Sequence, residues 1–114
     1  MNESEFIDLA EQTMIAIEEA VEQSGAEIDY DTISDILTLE FESGSQIIIN
    51  KQTPATQLWV AARSGGFHFD YDAESSSWRL DSDNSQELFA CLSRYCTEQS
   101  GENVELTRRT IFLE

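Results

Sequence analysis

The sequence predicts an α+β protein: a two-layer sandwich with one antiparallel sheet of five to six strands and an N-terminal and a C-terminal helix on one face. Three observations carry this. Apolar residues recur at three- and four-residue steps over residues 4–23. Between residues 27 and 80 the period changes to two, in short segments broken by Gly, Pro and Ser. The helical period then returns over residues 86–99. Two helices flanking sequential short strands bury their apolar sides most simply by covering one side of one sheet.

Phe6, Leu9, Ala10, Thr13, Met14, Ile17, Ala20 and Val21 form the apolar stripe of the first helix, with Ser4 or Asn2 as cap and Gly25 as stop. Glu27, Asp29 and Asp31 alternate with Ile28, Tyr30 and Thr32, which reads as a half-buried strand with an acidic outer side. Leu37, Leu39 and Phe41 alternate with Thr38, Glu40 and Glu42, and Ser43-Gly44-Ser45 turns the chain into Gln46–Asn50. Pro54 marks a connection. Residues 57–63, 67–71 and 77–80 supply three more strands. Asp81–Ser85 then offers caps for the second helix, which turns Leu88, Phe89, Leu92, Tyr95 and Cys96 to one side and stops at Gly101. Residues 1–106 form one domain. Residues 107–114 are a C-terminal extension of uncertain order: Val104 and Leu106 just before it, and Ile111, Phe112 and Leu113 within it, could dock on the helices, or the last residues could fray.

A chain of 114 residues with 40% hydrophobic content supports one real core, so its acidity does not make it a disordered tail. No apolar run approaches the ~20 residues of a membrane span, and the N-terminus lacks a positively charged leader; a cytoplasmic protein is expected. Cys91 and Cys96 lie about 140° apart on a helix, which predicts two ordinary packed thiols and no disulfide.

The net charge of −17 is unevenly placed. The first fifty residues hold thirteen carboxylates and no Lys or Arg, whereas the other 64 hold ten acids and all six basic residues. On the first helix Asp8, Glu11, Glu18, Glu19 and Glu22 share one arc, interrupted only by Ile15. Neighbours on that arc lie about 5–6 Å apart, inside the ~8 Å screening length, and each like-charge pair costs roughly 0.2–0.5 kcal/mol. A face meant only for water normally intersperses lysines. Hard carboxylate oxygens without His or Cys attract hard cations such as Fe²⁺, Fe³⁺, Mn²⁺ or Ca²⁺. The sequence has no calcium loop, H-E-x-x-H or E-x-x-H, so any metal site is open, water-rich and weak. The same ridge suits a basic protein surface equally well.

The second signal lies in the sheet. If Leu58, Val60 and Ala62 face the core, Gln57, Trp59, Ala61 and Arg63 face away, and the next strand brings His68 beside Trp59. An open-face Trp among Asn, Gln and Arg is the composition of a protein-binding hot spot. Direct nucleic-acid binding is disfavoured because no basic stripe exists. There is no catalytic triad, P-loop or dinucleotide-binding glycine pattern.

The segment Ile47-Ile48-Ile49-Asn50-Lys51-Gln52-x-Pro54-x-x-Gln57-Leu58-Trp59-Val60, the run Gly65-Gly66-Phe67-His68-Phe69-Asp70 and the acidic first helix and strand closely resemble the frataxin family, in particular its short bacterial members. The likeness spans residues 1 to about 106. It implies an α-β sandwich and a role in iron–sulfur cluster assembly, with weak binding of Fe²⁺ or Fe³⁺ through first-helix and first-strand carboxylates. By position the iron-facing residues are Glu3, Asp8, Glu11, Glu18, Glu19, Glu22, Asp29 and Asp31, and the partner-facing residues are Asn50, Gln57, Trp59 and His68. The implied partners are the cysteine desulfurase and the iron–sulfur scaffold protein, with no nucleic acid, membrane or organic cofactor. The expected state is a monomer, with iron-dependent oligomers as the alternative. A non-enzymatic regulator is expected. The competing readings are a ferroxidase that stores iron and an acidic interaction module that mimics nucleic acid.

Overall fold

The computed structural model describes residues 1–108, so residues 109–114 of the C-terminal extension lie outside it. The elements in order are α1 (Glu3–Ser24), β1 (Ile28–Ile33), β2 (Ile36–Phe41), β3 (Gln46–Gln52), a 3-10 turn (Thr53–Ala55), β4 (Gln57–Ala62), β5 (Gly65–Asp72), β6 (Ser77–Leu80), β7 (Asp83–Glu87) and α2 (Leu88–Ser100). The strands form a single antiparallel meander in the order β1-β2-β3-β4-β5-β6-β7. Sandwich and strand direction are as expected, but there are seven strands rather than five or six.

The extra strand is β7, in the segment read as a capping loop. Asp-Asn-Ser-Gln-Glu carries no apolar alternation, so its pairing with β6 depends on backbone bonds that composition does not advertise. The cap of α2 shifts accordingly: the Glu87 carboxylate accepts from the amides of Phe89 (2.8 Å) and Ala90 (3.2 Å). At α1, Asn2 and Glu5 form a reciprocal capping box at 2.8 and 2.9 Å, and Gly25 ends the helix at φ 73°, a conformation that glycine adopts without strain.

Both helices cover the face carrying Leu37, Leu39, Ile47, Ile49, Leu58, Val60, Phe69 and Trp78, all buried. Trp78 packs edge-on against Phe6 (5.9 Å) and Tyr71 (5.2 Å), and its indole donates to Thr13 Oγ1 at 2.9 Å. Cys91 and Cys96 are free and buried. The sequence left the docking of Val104 and Leu106 open; in the structure both are buried. Thr97 Oγ1 pairs with the Val104 backbone and Ser93 Oγ with that of Leu106. Among the described residues no helix is long and apolar enough to cross a membrane.

Candidate functional site

The helix acids form a border along the β1 edge of the sandwich. Asp8, Glu11, Glu18, Glu19 and Glu22 fall within an arc of about 100°, turned away from the buried stripe. Glu18 is half-buried and the other four are exposed. The Glu18 carboxylate accepts a hydrogen bond from Thr32 Oγ1. The Tyr30 hydroxyl is held above its usual pKa, first by desolvation and then by the negative charges of Glu22 and Glu18. Ridge and first strand thus meet along the seam Glu18–Thr32 and Glu22–Tyr30.

Farther along, Lys51 Nζ lies 3.8 Å from Glu11 and 3.6 Å from Asp35, with its side chain only 11% exposed. The single lysine of the chain therefore serves two carboxylates, and the half of the ridge around Glu18, Glu19 and Glu22 has no counter-ion among the described residues. Glu3 stands apart. It lies in the first turn, where the helix dipole favours an acid, and is about 22 Å along the axis from Glu18 at 1.5 Å per residue.

Register separates Asp29 and Asp31 from the helix acids. Ile28, Tyr30 and Thr32 pair with Phe41, Leu39 and Leu37, whose side chains are buried under the helices. Asp29 and Asp31 therefore project from the open face, opposite Glu40 and Thr38. They line a shallow depression with Tyr30, Thr38, Glu40 and Gln46. The acids thus wrap around the β1 edge as two rows. Asp35 and Glu40, which sequence reasoning left out, belong to this border. The alternation over 36–42 carried the signal for Glu40, but only the β1–β2 register sets it beside Asp29.

Among the described residues no three His, Cys, Asp or Glu side chains converge to hold a metal ion. The donor set is hard oxygen at a water-exposed edge, which fits labile, partly hydrated cations rather than a closed cage.

The four partner-facing residues share the open face. The register aligns Asn50 with Trp59, Trp59 with His68, and Gln57 with Asp70. Trp59 stacks on His68 with ring centres 4.3 Å apart and planes 14° from parallel. Its indole donates to Gln57 Oε1 at 2.8 Å, and Gln57 Nε2 donates to Asp70 at 3.0 Å. His68 Nδ1 lies 3.7 Å from Asp81. This network fixes the ring of a half-buried Trp without covering it. Asp70 and Asp81 are the members that sequence reasoning missed.

The frataxin-like domain family matches residues 1–102. The iron-sulfur cluster assembly protein CyaY of Pseudomonas paraeruginosa is 48% identical over 105 residues, covering 92% of this chain and 96% of the relative. That of Delftia acidovorans is 42% identical over 113 residues, covering 96% of this chain and 100% of the relative. The solved structure of the frataxin from Psychromonas ingrahamii has a TM-score of 0.85 and 44% identity, covering 94% of this chain and 99% of that one. By fold, family match and these relatives, the chain belongs to the frataxin family, among its bacterial CyaY members.

Proposed function

We propose that this chain is a non-enzymatic regulator of iron–sulfur cluster assembly in the cytoplasm. In this reading it binds Fe²⁺ or Fe³⁺ weakly along the acidic border and docks on the cysteine desulfurase and its scaffold protein. The observation that carries it is the placement of charge: the acids of α1, β1 and β2 line one edge, and Lys51 is the one cation paired with them among the described residues. Such an edge attracts either hydrated cations or a basic protein patch, and its field speeds encounter with both. The relatives' role in cluster assembly joins these two uses, since iron and a desulfurase are both components of that process. The ordered Asn50, Gln57, Trp59 and His68 face supplies the directional contacts that a charged edge lacks. Ferroxidase chemistry is disfavoured because it calls for a buried pair of irons, whereas these acids are surface groups.

Titration with Fe²⁺, followed by NMR, tests the metal half of the reading. Resonances of Glu18, Glu19, Glu22, Tyr30 and Asp31 are expected to broaden first. Broadening centred on Trp59 and His68 would move the iron off the border. Charge reversal of Glu18, Glu19 and Glu22 to Lys is expected to weaken binding to the desulfurase at low salt. Unchanged affinity would remove electrostatic docking.

A further inference from the structure

The β1–β2 hairpin tip displays an apolar pair that the core does not use. Ile33 is 68% exposed and Ile36 is 42% exposed, and they are opposite one another on the open face. Register extends the pair into a row: Ile36 aligns with Asn50, Asn50 with Trp59, and Trp59 with His68. At about 4.8 Å per strand the row Ile33–Ile36–Asn50–Trp59–His68 spans roughly 19 Å.

Among the described residues, these two alone of the exposed large hydrophobics form a cross-strand pair, and Asn50 separates Ile36 from Trp59 in the row. The tip is also held in place. The Lys51 amide donates to the Asp35 carbonyl at 2.9 Å, and Lys51 Nζ lies 3.6 Å from the Asp35 carboxylate while reaching Glu11 on α1. The isoleucines are therefore presented on a pinned turn, at the corner where the helix ridge meets the open face. Asp31 and Asp35 flank them.

We propose that Ile33 and Ile36 are the apolar anchor of the docking surface, and that the partner meets them with an apolar patch ringed by Lys and Arg. The inference rests on the docking reading above and specifies the chemistry of that contact. Charge complementarity selects the occupant: a surface covering this corner faces Asp31 and the border acids Glu18, Glu19 and Glu22, which have no counter-ion among the described residues, so its apolar centre is best matched when it sits among cations. A partner that spans the sheet from the β1 edge to Trp59 along this row covers the tip. Anchors of this kind sit centrally, with charged groups at the rim, and a preordered anchor loses little freedom on binding.

The test measures affinity for the purified cysteine desulfurase–scaffold complex at 50 and 300 mM NaCl. It compares the wild type, Ile33→Thr/Ile36→Thr, and Glu18→Lys/Glu19→Lys/Glu22→Lys. Threonine keeps β-branching, and both sites are exposed, so the fold persists; circular dichroism checks this. The threonine variant is expected to bind about tenfold more weakly, by the same factor at both salt concentrations. The lysine variant is expected to lose affinity chiefly at 50 mM. Threonine-variant affinity within twofold of wild type, or a loss confined to low salt, overturns the anchor. If the lysine variant fails and the threonine variant binds normally, electrostatic docking stands and the anchor falls. If the wild type does not bind at either salt concentration, both fall. A wild-type dimer in sedimentation that the threonine variant abolishes assigns the pair to self-association instead, and overturns the partner.

Discussion

Cys96 and Tyr95 show how burial on α2 converts into pH dependence. Burial pushes the Cys96 thiol up to about 12. Tyr95 is also pushed up to about 12, first by desolvation and then by Cys91, while its ring stacks on Phe67 at 4.8 Å. In both cases the folded state holds the proton more tightly than the unfolded chain, whose groups titrate near 9.0 and 10.0. The stability from this preference is complete below pH 9 and is lost as pH rises towards 12. Thermal melts are therefore expected to fall progressively above pH 9, with a shallower fall in Tyr95→Phe. A melting temperature flat to pH 11 would contradict the burial of these groups. Asp72 and Asp83 act at the opposite end. Their hydroxyl partners Ser75 and Ser85 depress both carboxyls, so what they contribute is lost as pH falls below 3.8.

At the scale of elements, α2 is held from outside by the segment that follows it. Ser93 and Thr97 are one helical turn apart, and each hydroxyl bonds both the N–H and the C=O of a tail residue, Leu106 and Val104 respectively. The buried side chains of Val104 and Leu106 close the core at that edge. Leu106→Ala is expected to cost about 2–5 kcal/mol, measured by urea denaturation, as for other fully buried leucines. A loss under about 0.5 kcal/mol would mean that the tail only rests on α2. The sequence already carried the helices, six of the strands and the open face of Trp59, because each has a strong period and the meander needs no crossover. It did not carry β7, whose five residues are polar throughout. Nor did it settle the tail, where two apolar residues in six are too few for a period. At the candidate site, the arc from Asp8 to Glu22 was legible from helical spacing alone. The outward side of Asp29 and Asp31 was legible from strand alternation, but their pairing with Glu40 and Thr38 was not, since it depends on the β1–β2 register. Lys51 was likewise invisible as a ridge partner, because its link to Glu11 joins residues forty positions apart.

For the whole molecule, the decisive quantity is a net charge of −17 gathered towards one edge. Carboxylates three and four apart on α1 repel inside the screening length, and Glu18, Glu19 and Glu22 also sit in the half of the helix where the dipole prefers cations. Together these terms destabilise the isolated protein by roughly 1–2 kcal/mol. Salt screens them. It also weakens the links from Lys51 to Glu11 and Asp35, but two long ion pairs are outnumbered by the repulsive contacts. Raising NaCl from 20 to 500 mM is therefore expected to raise the melting temperature by about 5 °C or more. Glu18→Gln/Glu19→Gln/Glu22→Gln is expected to melt higher at low salt and to respond less to added salt. The same salt should weaken docking on a basic surface, so stability and binding move in opposite directions along one axis. That opposition separates a border kept for a cationic partner from acids already neutralised inside the fold, for which added salt would leave the melting temperature unchanged or lower it.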